Sequence, residues 1–299
     1  MDTGNQTRYM IVPAILLCFV SFLHSQDDKN KIPLFKVGVD TVFLKVLVTD
    51  SRGRFVTGIQ KTDFLIYEDG VLQTVSNYKQ ESGPVSIGFV LDVSYSMKSG
   101  NQLYSAKNIC RQILERSNVH PEDEYFLIAF NEKARLIRSF SREISGIEEA
   151  IALMQPSGHT ALRDAVYLGM NMFESCNNDK KALILITDGR DNASRYYKSE
   201  IREFIKESRV QIYAIPTSKL FMEFLEELAE LTGGGIGISI DRVHSELRHQ
   251  YLLGYVPSNK AQDGAWREIK VKVNTPPGFP KLSIRAKKGY YAPENEPLN

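Results

Sequence analysis

Three things are scarce in this 299-residue chain: cysteine, an excess of charge of either sign, and long apolar runs. Only three cysteines occur, at 18, 110 and 176. That is too few for a disulfide-built scaffold, so a hydrophobic core must hold the fold. Thirty-seven basic residues face 36 acidic ones, and the Lys-Arg pairs are dispersed. No overall field recruits nucleic acid. Internal repeats and low-complexity segments are also missing. So are a Gly-x-Ser-x-Gly elbow and a Gly-x-x-x-x-Gly-Lys phosphate loop, which argues against a serine hydrolase or a nucleotide-driven machine. With 42% apolar and 24% charged residues, the chain has the composition of a globular protein.

One long apolar run is present, Met10–Leu23, preceded by Arg8 and followed by His24-Ser25-Gln26 and a charged stretch. It has the form of a secretory signal peptide over residues 1–25, with cleavage after Ser25. Pro13 interrupts it and it falls short of a bilayer span, so no stable membrane span is expected after cleavage; an uncleaved anchor is the alternative. The expected location is exported: periplasmic, cell-surface or secreted. Cys18 leaves with the signal. Cys110 and Cys176 fall on predicted helices on opposite faces of a sheet, and two buried free thiols are expected.

Residues 33–82 alternate with a period near two, broken by the turn signals Asp50-Ser51-Arg52-Gly53 and Glu68-Asp69-Gly70. Strand, turn, strand, turn, strand predicts a small antiparallel sheet, with a slip near Asp40-Thr41 and a strand through Val71–Val75. After Gly83-Pro84 the pattern changes to strand-helix alternation across 85–249. It ends in a short strand at Ile236–Ile240 and a helix at Asp241–His249. Strand patterning then returns over 250–292. Neither flank has enough strands to bury a face. The predicted fold is therefore an α/β domain with a doubly wound, mostly parallel, Rossmann-like sheet, inserted in a small all-β sandwich formed by the two flanks.

The chain's chemistry gathers around the apolar run Val85–Leu91, which ends in Asp92-Val93-Ser94-Tyr95-Ser96. Thr160 lies before a predicted helix, and Asp188 follows the apolar run Ala182–Ile186. Taken singly, each reads more readily as a helix cap. Together, Asp92, Ser94, Ser96, Thr160 and Asp188 supply two carboxylates and three hydroxyls. These are hard oxygen donors suited to a magnesium-like ion, placed at carboxyl ends of strands where α/β sheets bind ligands. Asp164 and Asp191 are candidates for supporting roles or ordinary helix and surface positions. His159 reads as a surface loop residue, and the Asn192-Ala193-Ser194 sequon carries little weight.

The D-x-S-x-S, T, D order resembles the metal-ion-dependent adhesion site of von Willebrand factor A domains, over about 85–249. The flanks resemble an exported bacterial, chiefly acidobacterial, group of von Willebrand A-related proteins, through Val48-Thr49-Asp50, Asp63-Phe64, Glu68-Asp69-Gly70, Pro84–Gly88, Gln250–Tyr255 and Lys288–Tyr291. The resemblance implies the von Willebrand A fold. It also implies direct ligation by Ser94, Ser96 and Thr160, with Asp92 and Asp188 acting directly or through water. The expected cofactor is a divalent cation, Mg2+ first, with Mn2+ or Ca2+ as alternatives. The expected partner is a protein presenting Asp or Glu. Tyr95 departs from the pattern, since a small residue is commoner there; it would crowd the loop or line the partner surface. An adhesion module without enzyme activity is expected. The alternatives are a structural envelope protein with a stabilising metal, or a hydrolase or phosphotransferase using Asp92.

Overall fold

The computed structural model describes residue 1 and residues 41–115, 120–238, 240–275 and 281–294. The signal-like segment and the slip at residue 40 lie outside the described residues. All elements below belong to the unit spanning Ile32–Asn299. In chain order, the first flank supplies β1 (Val42–Asp50), β2 (Phe64–Glu68), β3 (Val71–Gln73) and β4 (Val75–Glu81). Then follow β5 (Val85–Asp92), α1 (Gln102–Glu115), β6 (Glu124–Phe130), β7 (Ala134–Ser141), α2 (Ser145–Leu153) and α3 (Leu162–Met172). The alternation continues with β8 (Lys180–Thr187), α4 (Lys198–Lys206), β9 (Gln211–Pro216), α5 (Met222–Thr232), β10 (Gly235–Ile236) and α6 (Ile240–Arg248). The second flank supplies β11 (Gln250–Tyr255), β12 (Trp266–Val273), β13 (Leu282–Arg285) and β14 (Gly289–Tyr291).

The central sheet has the order β10-β9-β8-β5-β6-β7, all parallel except the edge pair β6–β7. Strand β5 is buried at every position, as a central strand covered on both faces must be. Its alternation appears instead in which core each residue joins. Val85, Ile87, Phe89 and Leu91 pack with apolar residues of α1, α2 and α6. Val90 packs on the other face with those of α3, α4 and α5. Helix α1 shows why these segments coil: Leu103, Ala106, Cys110, Ile113 and Leu114 recur at three- and four-residue spacing and all are buried. Gly88 admits the Phe126 ring where any Cβ would collide with it.

The flanks form two four-stranded antiparallel sheets, β13-β1-β11-β4 and β14-β12-β2-β3, which share one core. Leu44, Val46, Tyr251 and Leu253 from the first meet Phe64, Ile66, Ile269 and Tyr290 from the second. Each sheet mixes strands from both sides of the α/β segment, since β1 pairs with β11 and β2 with β12.

Three expectations need correction. The first flank is no simple meander: β1 and β2 enter different sheets, and the Val71–Val75 run breaks at Thr74, where the chain leaves one sheet for the other. The strand expected at Ile236–Ile240 is only Gly235–Ile236, because Gly237 turns the chain at φ 61° and Ile240 already opens α6. Cys176 follows a short 3-10 turn and is only partly buried, its Sγ donating to the Phe173 carbonyl at 3.2 Å. Cys110 is a buried free thiol on the opposite face of the sheet, and burial pushes it up to about 12.

Candidate metal centre

Strands β5 and β8 are neighbours at the middle of the sheet, and each hands a carboxylate to the loop at its carboxyl end. Three loops meet there. The first, after β5, turns tightly because the Ser94 amide donates to Asp92 Oδ1 at 2.8 Å. A short 3-10 segment opens at Tyr95, and the Ser94 and Ser96 hydroxyls come within 3.1 Å of each other. The alternate hydroxyls thus converge through the turn, which an extended strand would not allow.

The second loop, ahead of α3, is tied to the first by two backbone bonds, Tyr95 N to Gly158 O at 2.9 Å and Ser157 N to Val93 O at 2.8 Å. Gly158 holds φ +73°, and a Cβ there would run into the Glu132 carboxylate. The third loop, after β8, is tied to the second through Thr160. The Thr160 amide donates to Asn192 Oδ1 at 2.8 Å, and its carbonyl accepts from the Asn192 and Ala193 amides at 2.9 Å each. The triangle closes where the Thr187 hydroxyl donates to Asp92 Oδ2 at 2.6 Å.

The five candidate residues are therefore brought to one end of the sheet. Asp92, Ser94, Thr160 and Asp188 are buried, and Ser96 is partly exposed. Burial raises Asp92 to about 6, against the lowering effect of its bonds to Ser94 and Thr187, and the nearby Asp188 charge adds to the rise. Two carboxylates of like charge held in a recess form a site that a cation would relieve. Arg190 meets part of that need. Its amide donates to Asp188 Oδ1 at 3.0 Å, and its guanidinium pairs with Oδ2 at 3.3 Å while lying over the Phe221 ring. Gly189, at φ +84°, is required between them, because a Cβ would meet the Phe221 carbonyl.

The donor set fits a hard divalent ion. Among the described residues there is no cluster of three or more His, Cys, Asp or Glu placed to hold a metal.

Asp164 and Asp191 serve as braces. Asp164 accepts from the Arg195 amide and guanidinium at 2.9 Å each. Asp191 accepts from the Arg163 amide at 3.0 Å and the Ser194 hydroxyl at 2.7 Å, tying α3 to the third loop. His159 is exposed. Tyr95 points outward with Lys98 over its ring, so it does not crowd the loop. Sequence reasoning missed Thr187, Arg190, Asn192 and Asn131, whose carbonyl accepts from Ala161 N at 2.7 Å. Thr187 stood next to a singled-out aspartate, and its position in β8 was the available signal.

A mostly parallel α/β sheet whose carboxyl edge assembles hydroxyls and carboxylates from three loops defines the class of protein. Residues 87–190 match the family model of the von Willebrand factor type A domain. No curated protein matches the chain. Among solved structures, the conserved hypothetical protein BatB from Bacteroides thetaiotaomicron is 16% identical, over 55% of this chain and 96% of its own, with a TM-score of 0.46. Proximal thread matrix protein 1 from the mussel byssus is 22% identical over 60% of this chain and 51% of its own, also at 0.46. A second structure of that byssus protein, with a zinc-occupied MIDAS motif, is 22% identical over 59% and 48%, at 0.45.

Proposed function

We propose that this protein is an exported, metal-dependent protein-binding module. Asp92, Ser94, Ser96, Thr160 and Asp188 would hold one divalent cation, Mg2+ first among candidates. The ion supplies positive charge and an exchangeable position for a carboxylate from an Asp or Glu of a partner protein. The observation that carries this reading is the closed triangle of bonds among the three loops, which sets the five oxygen donors at one sheet end. The domain boundaries proposed with it are a signal peptide over 1–25, a von Willebrand A-like domain over 85–249, and a sandwich built from 33–82 and 250–292. Membership of the exported acidobacterial-type group belongs to the same proposal. Among the described residues no helix is long and apolar enough to cross a membrane.

An enzymatic role for Asp92 is the weaker reading. Its side chain is fully buried, held by the Ser94 amide and the Thr187 hydroxyl. A nucleophile must reach a substrate carbon or phosphorus, which a fully buried side chain does not. The test is affinity capture from envelope extract in Mg2+, elution with EDTA, and repetition with Thr160→Ala. Capture that depends on both metal and Thr160 supports the module. Hydrolysis of phosphomonoesters lost on Asp92→Ala would overturn it.

A further inference from the structure

At the other end of β8 from the metal loops, a cavity of about 310 Å³ opens where the α/β sheet meets the sandwich. Five cations line it: Lys45 on β1, Lys79 on β4, Lys181 on β8, Arg209 ahead of β9, and Lys287 after β13. Asp179 is the one carboxylate in the lining, and Glu207 acts on Lys287 from beside it. In a chain whose charges otherwise balance, this is a concentrated positive recess.

Backbone carbonyls contribute to the shape of the recess. Lys45 Nζ donates to the Asp179 and Arg209 carbonyls at 3.3 and 3.4 Å, and Lys181 Nζ to the Phe173 carbonyl at 3.0 Å. The Phe173 carbonyl orients the Lys181 ammonium without cancelling its charge. Lys287 and Arg209 make no ion pair among the described residues. Burial, with Arg209 adding to it, pushes the Lys287 ammonium down to about 8. Cations drawn from five separate segments around one void repel one another unless an anion lies between them. The cations sit in a recess and not along an open stripe, which suits a compact ligand better than a nucleic-acid strand.

We propose that this cavity binds a small ligand carrying two or more phosphate groups, which bridges the sandwich and the α/β domain. Several charges in a small volume match five converging cations, and the Arg209 fork and lysine point charges are the usual phosphate donors. The site is independent of the cation centre, since β8 is eight residues long and separates the two by roughly 25 Å.

The test is calorimetric titration of the metal-free full chain, in EDTA, with inorganic pyrophosphate at fixed ionic strength. The expected result is saturable binding of one pyrophosphate per chain. Lys287→Met and Arg209→Gln should each weaken it about tenfold, a loss of one charged contact. Lys79→Gln, at an exposed position, should weaken it severalfold with the fold intact by circular dichroism, and Thr160→Ala should leave it unchanged. Tighter binding of ADP would assign the phosphates to a nucleotide, and tighter binding of inositol trisphosphate to a lipid headgroup. No saturable binding, binding indifferent to all three charge variants, or equal affinity for citrate would overturn the proposal.

Discussion

The Thr187 hydroxyl donates to Asp92 Oδ2 across 2.6 Å, joining the ends of two adjacent parallel strands. That bond leaves Asp92 with one oxygen held by Thr187 and the other by the Ser94 amide. The orientation of the first carboxylate in the candidate cation site is therefore set before any ion arrives. Thr187→Val should cost about 1–3 kcal/mol in urea unfolding, the penalty for leaving a buried acceptor unpaired. It should also weaken cation binding by about tenfold, as loss of a residue that orients a metal ligand does.

Arg190 would compete with a bound cation for Asp188. Its guanidinium is half-exposed and pairs with the buried carboxylate at 3.3 Å. Arg190→Gln should tighten Mn2+ binding by about two- to fivefold at low salt, and the gain should shrink as ionic strength rises. An unchanged affinity at both salt concentrations would remove Arg190 from the account.

The joint between domains rests on Glu246. This α6 carboxylate is fully buried, with Arg242 bonded to Oε1 at 2.8 Å and Arg285 of β13 on Oε2. Glu246→Gln leaves two guanidiniums without a counter-charge and should cost about 3 kcal/mol, the scale for breaking a buried ion pair. Equilibrium denaturation measures this directly, and a loss below about 1 kcal/mol would place the joint's strength in apolar contacts instead.

Lys287 gives a pH signature independent of the metal. Its folded value is depressed to about 8 from 10.5, mainly by burial. Between those values the unfolded chain holds the extra proton, so stability rises with pH across the interval, and the penalty is complete below it. Lys287→Met should therefore be the more stable protein at pH 7, on the order of 1 kcal/mol after solvent screening of a partly exposed group. The advantage should fade toward pH 10.5. A constant difference across that range would locate the effect in packing.

Much of this was legible in the residues. The buried runs at Val85–Leu91 and Ala182–Ile186 are each followed by a helical pattern, and that alternation leads to a parallel sheet with the two aspartates side by side. The order of Asp92, Ser94, Ser96, Thr160 and Asp188 pointed to one site because each stands at an element boundary. Strand pairing in the flanks was less legible. Period-two alternation says which face of a strand is buried but not which strand lies next to it, so the exchange at Thr74 left no mark in the pattern. The bracing by Asn131, Asn192 and Thr187 was hidden for a related reason: these bonds join residues far apart in sequence, and no local spacing encodes them.

Isothermal titration of purified, EDTA-stripped protein with Mn2+ and Mg2+ tests the central claim most directly, compared with Thr160→Ala and Asp188→Asn. The account predicts one saturable divalent site per chain, occupied with a gain in melting temperature and lost in both variants while their folds persist. Absence of saturable binding, or binding that survives both substitutions, would contradict it.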